Sequence, residues 1–95
     1  MDVDTLTFVD DDDSYLQWVE ANPNGWVVNC FRAPTSDYLI LHRATCRTIR
    51  GRPTRGDTWT CGGYAKVCAA EITLLNRWAL RTTGGLPKLC ELCQP

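Results

Sequence analysis

Two pairs of residues in this chain have the types and spacing to hold a metal ion: His42-x3-Cys46 and Cys90-x2-Cys93. In each pair a short turn brings two ligand atoms toward one centre. Together they offer one imidazole and three thiolates, the full complement of a tetrahedral zinc site. A set supplied wholly by the protein leaves no open position for substrate, so the implied chemistry is structural. Zinc is expected over an iron–sulfur cluster, because an imidazole is in the set and the spacing suits a single ion. His42 is the only histidine of the chain. Cys30 lies in an apolar run and reads as a small core residue. Cys61 and Cys68 flank a predicted strand, and either in place of His42 would give an all-thiolate site.

The elements that must position these pairs can be read along the chain. Residues 1–9 alternate loosely, as a short edge strand or a frayed tail. Asp10–Asp13 lead into Ser14, the expected N-cap, and suit the positive end of a helix over 14–21. Tyr15, Leu16, Trp18 and Val19 are the candidates for its inner face. Asn22-Pro23-Asn24-Gly25 ends it. Residues 26–31 and 38–42 are β-prone and flank a proline-containing connector, the pattern of an antiparallel hairpin whose second strand runs into His42. Residues 51–63 have loop composition, and 64–68 suit a third strand. A helix is expected over 70–82, with Leu75, Trp78 and Ala79 inward, closed by Gly84-Gly85 and Pro87. The Cys90 pair follows at once.

The expectation is a single α+β domain over 1–95, with a three-stranded, mostly antiparallel sheet, two helices and an acidic segment at 1–13. A metal would tie the end of the second strand to the C-terminal knuckle. A chain of 95 residues buries only a marginal core, so such a tie is physically useful.

Composition adds a second theme. The chain is 44% apolar and 22% charged, a globular balance with nothing that reads as a membrane span. Its start lacks the features of a signal peptide, so a cytoplasmic setting is expected. Thiols stay reduced there, and disulfides would need a secretory route. The net charge of −1 hides an asymmetry. Residues 1–20 carry seven acids and no base, whereas residues 32–88 carry all ten bases and three acids. Arg43, Arg47, Arg50, Arg52 and Arg55 crowd the stretch after the first ligand pair. Arginine suits bidentate phosphate recognition. Trp59 is placed either to stack on a base or to lie as a lid over the small core, with Arg77, Arg81 and Lys88 as added phosphate contacts. This is the footprint of a nucleic-acid surface, with the acidic start as a shield in cis or a solvated face.

Three functions follow: a zinc-stabilised DNA-binding module, a protein-interaction module using the acidic segment or a sheet edge, and an enzyme. The last finds least support, because no second histidine, H-E-x-x-H or Ser/His/Asp grouping is present, and no small-molecule substrate is evident.

The stretches Leu41-His42-Arg43-Ala44-Thr45-Cys46-Arg47 and Leu89-Cys90-Glu91-Leu92-Cys93-Gln94-Pro95 resemble the Ada-type zinc-binding domain, the N-terminal module of the bacterial methylphosphotriester-DNA repair protein. That pattern is C-x3-C, a strand and helix, then C-x2-C-x-P. The ending matches at Cys90, Cys93 and Pro95, and the first pair matches with His42 in place of the first cysteine. The resemblance spans roughly residues 38–95, with a longer insertion between the pairs. It implies a bacterial protein with the zinc scaffold and DNA contact. In the family that first cysteine accepts the methyl group, which an imidazole at His42 cannot do. The resemblance therefore implies the scaffold without the repair activity, and it singles out none of Cys46, Cys90 and Cys93 as a substitute acceptor.

Overall fold

A computed structural model describes residues 5–49, 59–60 and 62–93. The order is β1 (Leu6–Phe8), α1 (Asp12–Ala21), β2 (Trp26–Phe31), β3 (Leu39–Arg43), β4 (Tyr64–Ala69), α2 (Ile72–Thr83) and β5 (Lys88–Leu89). This is an α+β fold with the two expected helices. The sheet has five strands rather than three, in the order β1-β4-β2-β3-β5. The extra strands are short edges: β1 pairs antiparallel with β4, and β5 pairs parallel with β3. Elements of three and two residues are too short to show a period, which is why the sequence does not declare them.

β2 and β4 lie in the interior of the sheet, and apolar side chains leave both of their faces. Val28, Cys30, Leu41, Val67 and Ala65 point to one side, where Leu75, Trp78 and Ala79 of α2 cover them. Val27 and Cys68 point to the other, where Tyr15 and Val19 of α1 cover them. The sheet is thus sandwiched between two helices, with one apolar cluster on each face.

Helix α1 starts earlier than expected. Its cap is Asp11, whose Oδ1 accepts from the Ser14 N–H at 3.1 Å. Ser14 is therefore inside the helix. A carboxylate both caps the first turn and faces the positive end of the helix dipole, so it does what the serine would do and adds charge. Helix α2 ends as the sequence requires: Gly84 takes the left-handed conformation at φ 79°, and its N–H returns to the Leu80 carbonyl at 3.1 Å.

Gly25 sits where α1 hands over to β2. Its N–H donates to the Asn22 carbonyl, and its carbonyl accepts from Ala44 N–H. A Cβ there would stand 2.6 Å from Trp18 Cη2 and 3.1–3.2 Å from two carbonyl oxygens. Gly25→Ala is expected to destabilise the fold by about 1–3 kcal/mol through overpacking. Urea midpoints of the two proteins measure this. Equal midpoints would mean that the Trp18 ring moves aside freely.

Candidate metal centre

β3 delivers His42. In an antiparallel hairpin alternate residues face alternate sides, so Leu39 and Leu41 enter the α2-side cluster while Ile40 and His42 face α1. After Arg43 the chain turns, Ala44 N–H binding Gly25 O, and Cys46 N–H donates to Arg43 O at 2.9 Å. That tight turn folds Cys46 back beside His42. The other pair arrives through β5, whose residue Leu89 is registered against Leu41. Cys90 N–H donates to Leu41 O at 2.9 Å, one residue before His42, and residues 91–93 form a turn.

The imidazole and the three Sγ atoms consequently lie within 4.8 Å of one another. A zinc tetrahedron with Zn–S near 2.3 Å has ligand–ligand edges of about 3.8 Å. The four atoms need only a small inward adjustment to meet one ion. Three of the four residues are buried, with His42 6%, Cys46 4% and Cys90 8% exposed, and Cys93 is half-buried.

Two further observations fit a metal ion to this set. His42 Nδ1 is buried and has no hydrogen-bond partner among the described residues, and an orphaned buried nitrogen is costly unless something binds it. Burial, with a smaller contribution from the Lys66 charge, pulls the His42 pKa down to about 4. The imidazole is therefore neutral at pH 7, the form that ligates. Thr48 Oγ1 lies 3.0 Å from Cys46 Sγ, where its hydroxyl would donate to a thiolate, and Arg43 N–H donates to Cys93 Sγ at 3.4 Å. Burial works against ionisation of Cys90, but the backbone N–H groups of Cys93 and Leu92 hold its pKa below the ordinary value. Four His/Cys groups thus form a cluster able to hold a metal ion.

The alternative ligand Cys68 is elsewhere. Val27 is registered against His42 on one side and against Cys68 on the other, so Cys68 lies two strands from His42, about 10 Å away. It is fully buried, and burial drives its thiol pKa upward. Cys30 is likewise a core thiol, pushed up by burial to about 11. Cys61 lies outside the described residues. The described cysteines are all free thiols.

The proposed nucleic-acid residues divide. Arg43 and Arg47 are exposed next to the metal cluster, and the Arg43 guanidinium lies 5.1 Å from the Trp26 ring centroid. Arg50, Arg52 and Arg55 lie outside the described residues. Of the two readings of Trp59 the core one holds over base stacking: the ring is only 7% exposed and packs in the α1-side cluster against Tyr15. Arg77 and Arg81 are exposed on α2, which covers the sheet face that Arg43 shares with its cross-strand partner Trp26.

Sequence reasoning missed the reason Trp59 is inside. Lys66 on β4 is buried at 3% exposure. Its Nζ donates to Trp59 O and to Asn29 Oδ1, both at 2.8 Å, and lies 5.8 Å from the Trp59 ring and 6.0 Å from the Tyr15 ring. From the other side Asp12 accepts from Trp59 N–H, Thr60 N–H and Thr60 Oγ1 at 2.6–2.9 Å. Partial burial opposes the Asp12 charge, but the Thr60 and Trp59 hydrogen bonds outweigh it and hold the carboxyl below 3.8. Asp12 therefore clamps the Trp59–Thr60 segment, while Asp13 is exposed. Asp10 also forms an ion pair with Arg32. At the near end of the arginine-rich stretch, Tyr15 OH donates to Ile49 O. The one sequence signal for this was the position of Lys66 in an apolar strand that has covers on both faces.

At the opposite end of the sheet from the metal cluster, Phe31, Tyr38 and Tyr64 form an aromatic group with centroids 5.2–5.9 Å apart. Phe31 is 37% and Tyr64 47% exposed. Among the described residues no helix is long and apolar enough to cross a membrane. Comparison with protein-family models, with curated proteins and with solved structures gives no match for this chain.

Proposed function

We propose that the chain is a non-catalytic domain built on a structural zinc ion, which binds DNA through the arginine-rich stretch that begins at the ion. The observation that supports the first half is the closed ligand set, four protein atoms within 4.8 Å with a buried, partnerless His42 Nδ1 among them. His42, Cys46, Cys90 and Cys93 would hold the ion, which supplies cross-linking of β3 to the C-terminal turn. No ligand position is left for a substrate, so the set favours a staple over a catalyst.

Support for the second half is the placement of Arg43 and Arg47 on the surface at the cluster, together with the anchoring of both ends of the stretch. Ile49 is held by Tyr15, and Trp59–Thr60 by Asp12 and Lys66. A stretch fixed at both ends loses less entropy on binding. Arginines 43, 47, 50, 52 and 55 would contact phosphates, giving affinity without sequence choice. The zinc scaffold and DNA contact are also what the Ada-type resemblance implies.

The test is binding to labelled duplex DNA across a salt series. Binding at low salt is expected, with the slope of log K against log salt falling by about 1 for each of Arg47→Ala, Arg50→Ala and Arg52→Ala that removes a phosphate contact. An unchanged slope in all three would remove the assignment to this stretch. No binding at low salt would remove the DNA reading and leave the second one, a protein-interaction module. That reading rests on the Phe31/Tyr38/Tyr64 group, in which Phe31 and Tyr64 are exposed.

A further inference from the structure

The four ligands of the proposed zinc site are not equally shielded, and the inequality has chemical content. It rests on the metal reading above. His42, Cys46 and Cys90 are each more than nine-tenths buried, while Cys93 is only half-buried. The hydrogen-bond donors are distributed in the same sense. Cys90 is served by two backbone N–H groups of its own turn, and Cys46 has the Thr48 hydroxyl at 3.0 Å. Cys93 has a single backbone donor, Arg43 N–H at 3.4 Å, and otherwise meets only the Cys46 and Cys90 thiols. A donor to sulfur draws on the lone pairs that would attack an electrophile, and burial excludes the electrophile altogether. Both effects leave Cys93 as the sulfur most open to attack. A thiolate bound to zinc is already deprotonated, so it does not wait on a proton to react.

We infer that Cys93 is the oxidation site of this ligand set, attacked first by a small peroxide, and that Cys90 then closes a Cys90–Cys93 disulfide that expels the ion. The Cys93 thiolate attacks one peroxide oxygen, the O–O bond breaks, and the products are a Cys93 sulfenic acid and hydroxide. The Cys90 thiolate then attacks the sulfenic sulfur, forming the S–S bond and releasing a second hydroxide. Two thiolates lose one electron each, hydrogen peroxide gains both, and two protons from solvent convert the hydroxides to water. Cys90 is the resolving thiol because it stands immediately before the 91–93 turn that ends in Cys93 and its Sγ lies within 4.8 Å. With two ligands gone, His42 and Cys46 cannot retain the ion at comparable affinity. The C-terminal turn is then untied from β3, so the staple becomes a peroxide-sensitive release.

The experiment begins with the purified full chain loaded with zinc and its metal content measured. Hydrogen peroxide is added in graded amounts. Released zinc is followed with a chromogenic chelator, sulfenic acid is trapped with dimedone, and the quenched protein is mapped by peptide mass spectrometry. The expected result is dimedone on Cys93 before any other cysteine, followed by one Cys90–Cys93 disulfide per zinc released. Cys93→His keeps a four-ligand set, and it should slow peroxide-driven zinc release by at least about tenfold. First trapping on any other cysteine, release without the Cys90–Cys93 disulfide, or an unchanged release rate in Cys93→His would each overturn the inference. A chain that takes up no zinc at the outset instead overturns the metal reading, so the two failures are distinguishable.

Discussion

Stripping the metal from the His42/Cys46/Cys90/Cys93 set with a strong chelator is expected to unfold the domain cooperatively at a temperature where the loaded protein is fully folded. The magnitudes make this the largest effect in the molecule. Structural zinc in small domains contributes on the order of 10–16 kcal/mol of apparent binding free energy. A domain's whole stability is about 5–15 kcal/mol. The geometry gives the same sign. The C-terminal turn is joined to the fold by β5, a two-residue strand with exposed side chains, and by the Cys90–Leu41 backbone bond. Cys46 and Cys90 are themselves members of the α1-side cluster. Without the ion, a partnerless imidazole nitrogen and three crowded thiols lie in that cluster. Circular dichroism melts with and without chelator decide the matter, and superimposable melts would sink the structural-metal reading. His42→Ala should behave like the chelated protein. His42→Cys, which restores a four-ligand set, should stay folded when loaded.

The second large effect belongs to Lys66. Lys66→Ala is expected to cost roughly 3–5 kcal/mol: it removes the donor to two buried acceptors, Trp59 O and Asn29 Oδ1, and opens space against the Tyr15 and Trp59 rings. Lys66→Met, which keeps the volume without the ammonium, should cost much less, because a buried charge carries its own desolvation penalty. That penalty has a pH signature. Burial, partly offset by Cys30 and Asp12, lowers the Lys66 pKa from 10.5 to about 8. Between these values the unfolded chain binds the proton and the folded one does not, so this group makes stability rise with pH across that window and leaves it unaffected below. At about 1.4 kcal/mol per pH unit the rise is about 3 kcal/mol. Cys30 and Cys68 act oppositely, since their raised pKa values lose stability as pH climbs above the ordinary thiol value of 9. The quantity to measure is therefore the stability of the parent minus that of Lys66→Met, from pH 7.5 to 10.5. A flat difference would mean that the amine is not desolvated.

These two predictions also mark how far the sequence could be read. The ligand quartet was legible because its four residues occur in pairs whose spacing alone brings the atoms of each pair together. The two helices and the three longer strands were legible from periodicity and from Gly84. Lys66 was not, because a lysine in a five-residue apolar run ordinarily points to solvent. Whether it does depends on α1 covering that face, and α1 is more than 40 residues earlier in the chain. The same distance hid the role of Asp10–Asp12, whose partners Arg32 and Thr60 are 22 and 48 residues away. Trp59 stayed open between a base and the core for this reason: its local sequence is polar loop, and its burial is imposed by Asp12 and Lys66 from remote positions. Ser14 lost the cap to Asp11 on a purely local contest, in which a charged acceptor one turn earlier wins.

The strand order has a consequence for how the domain can be attached to other things. β1 and β5 occupy the two opposite edges of the sheet, four strand spacings apart, or roughly 19 Å. A label or fusion partner joined ahead of β1 therefore emerges on one flank, and one joined beyond the Cys93 turn emerges on the other, beside the metal ligands. Tension applied between those two attachments crosses the whole sheet. On one side the first link to yield is three residues of backbone pairing, and on the other the load reaches the Cys90–Cys93 turn as soon as the two residues of β5 peel away. Such a domain bears force as a link in series, and an ion held as proposed by His42, Cys46, Cys90 and Cys93 would be the clasp.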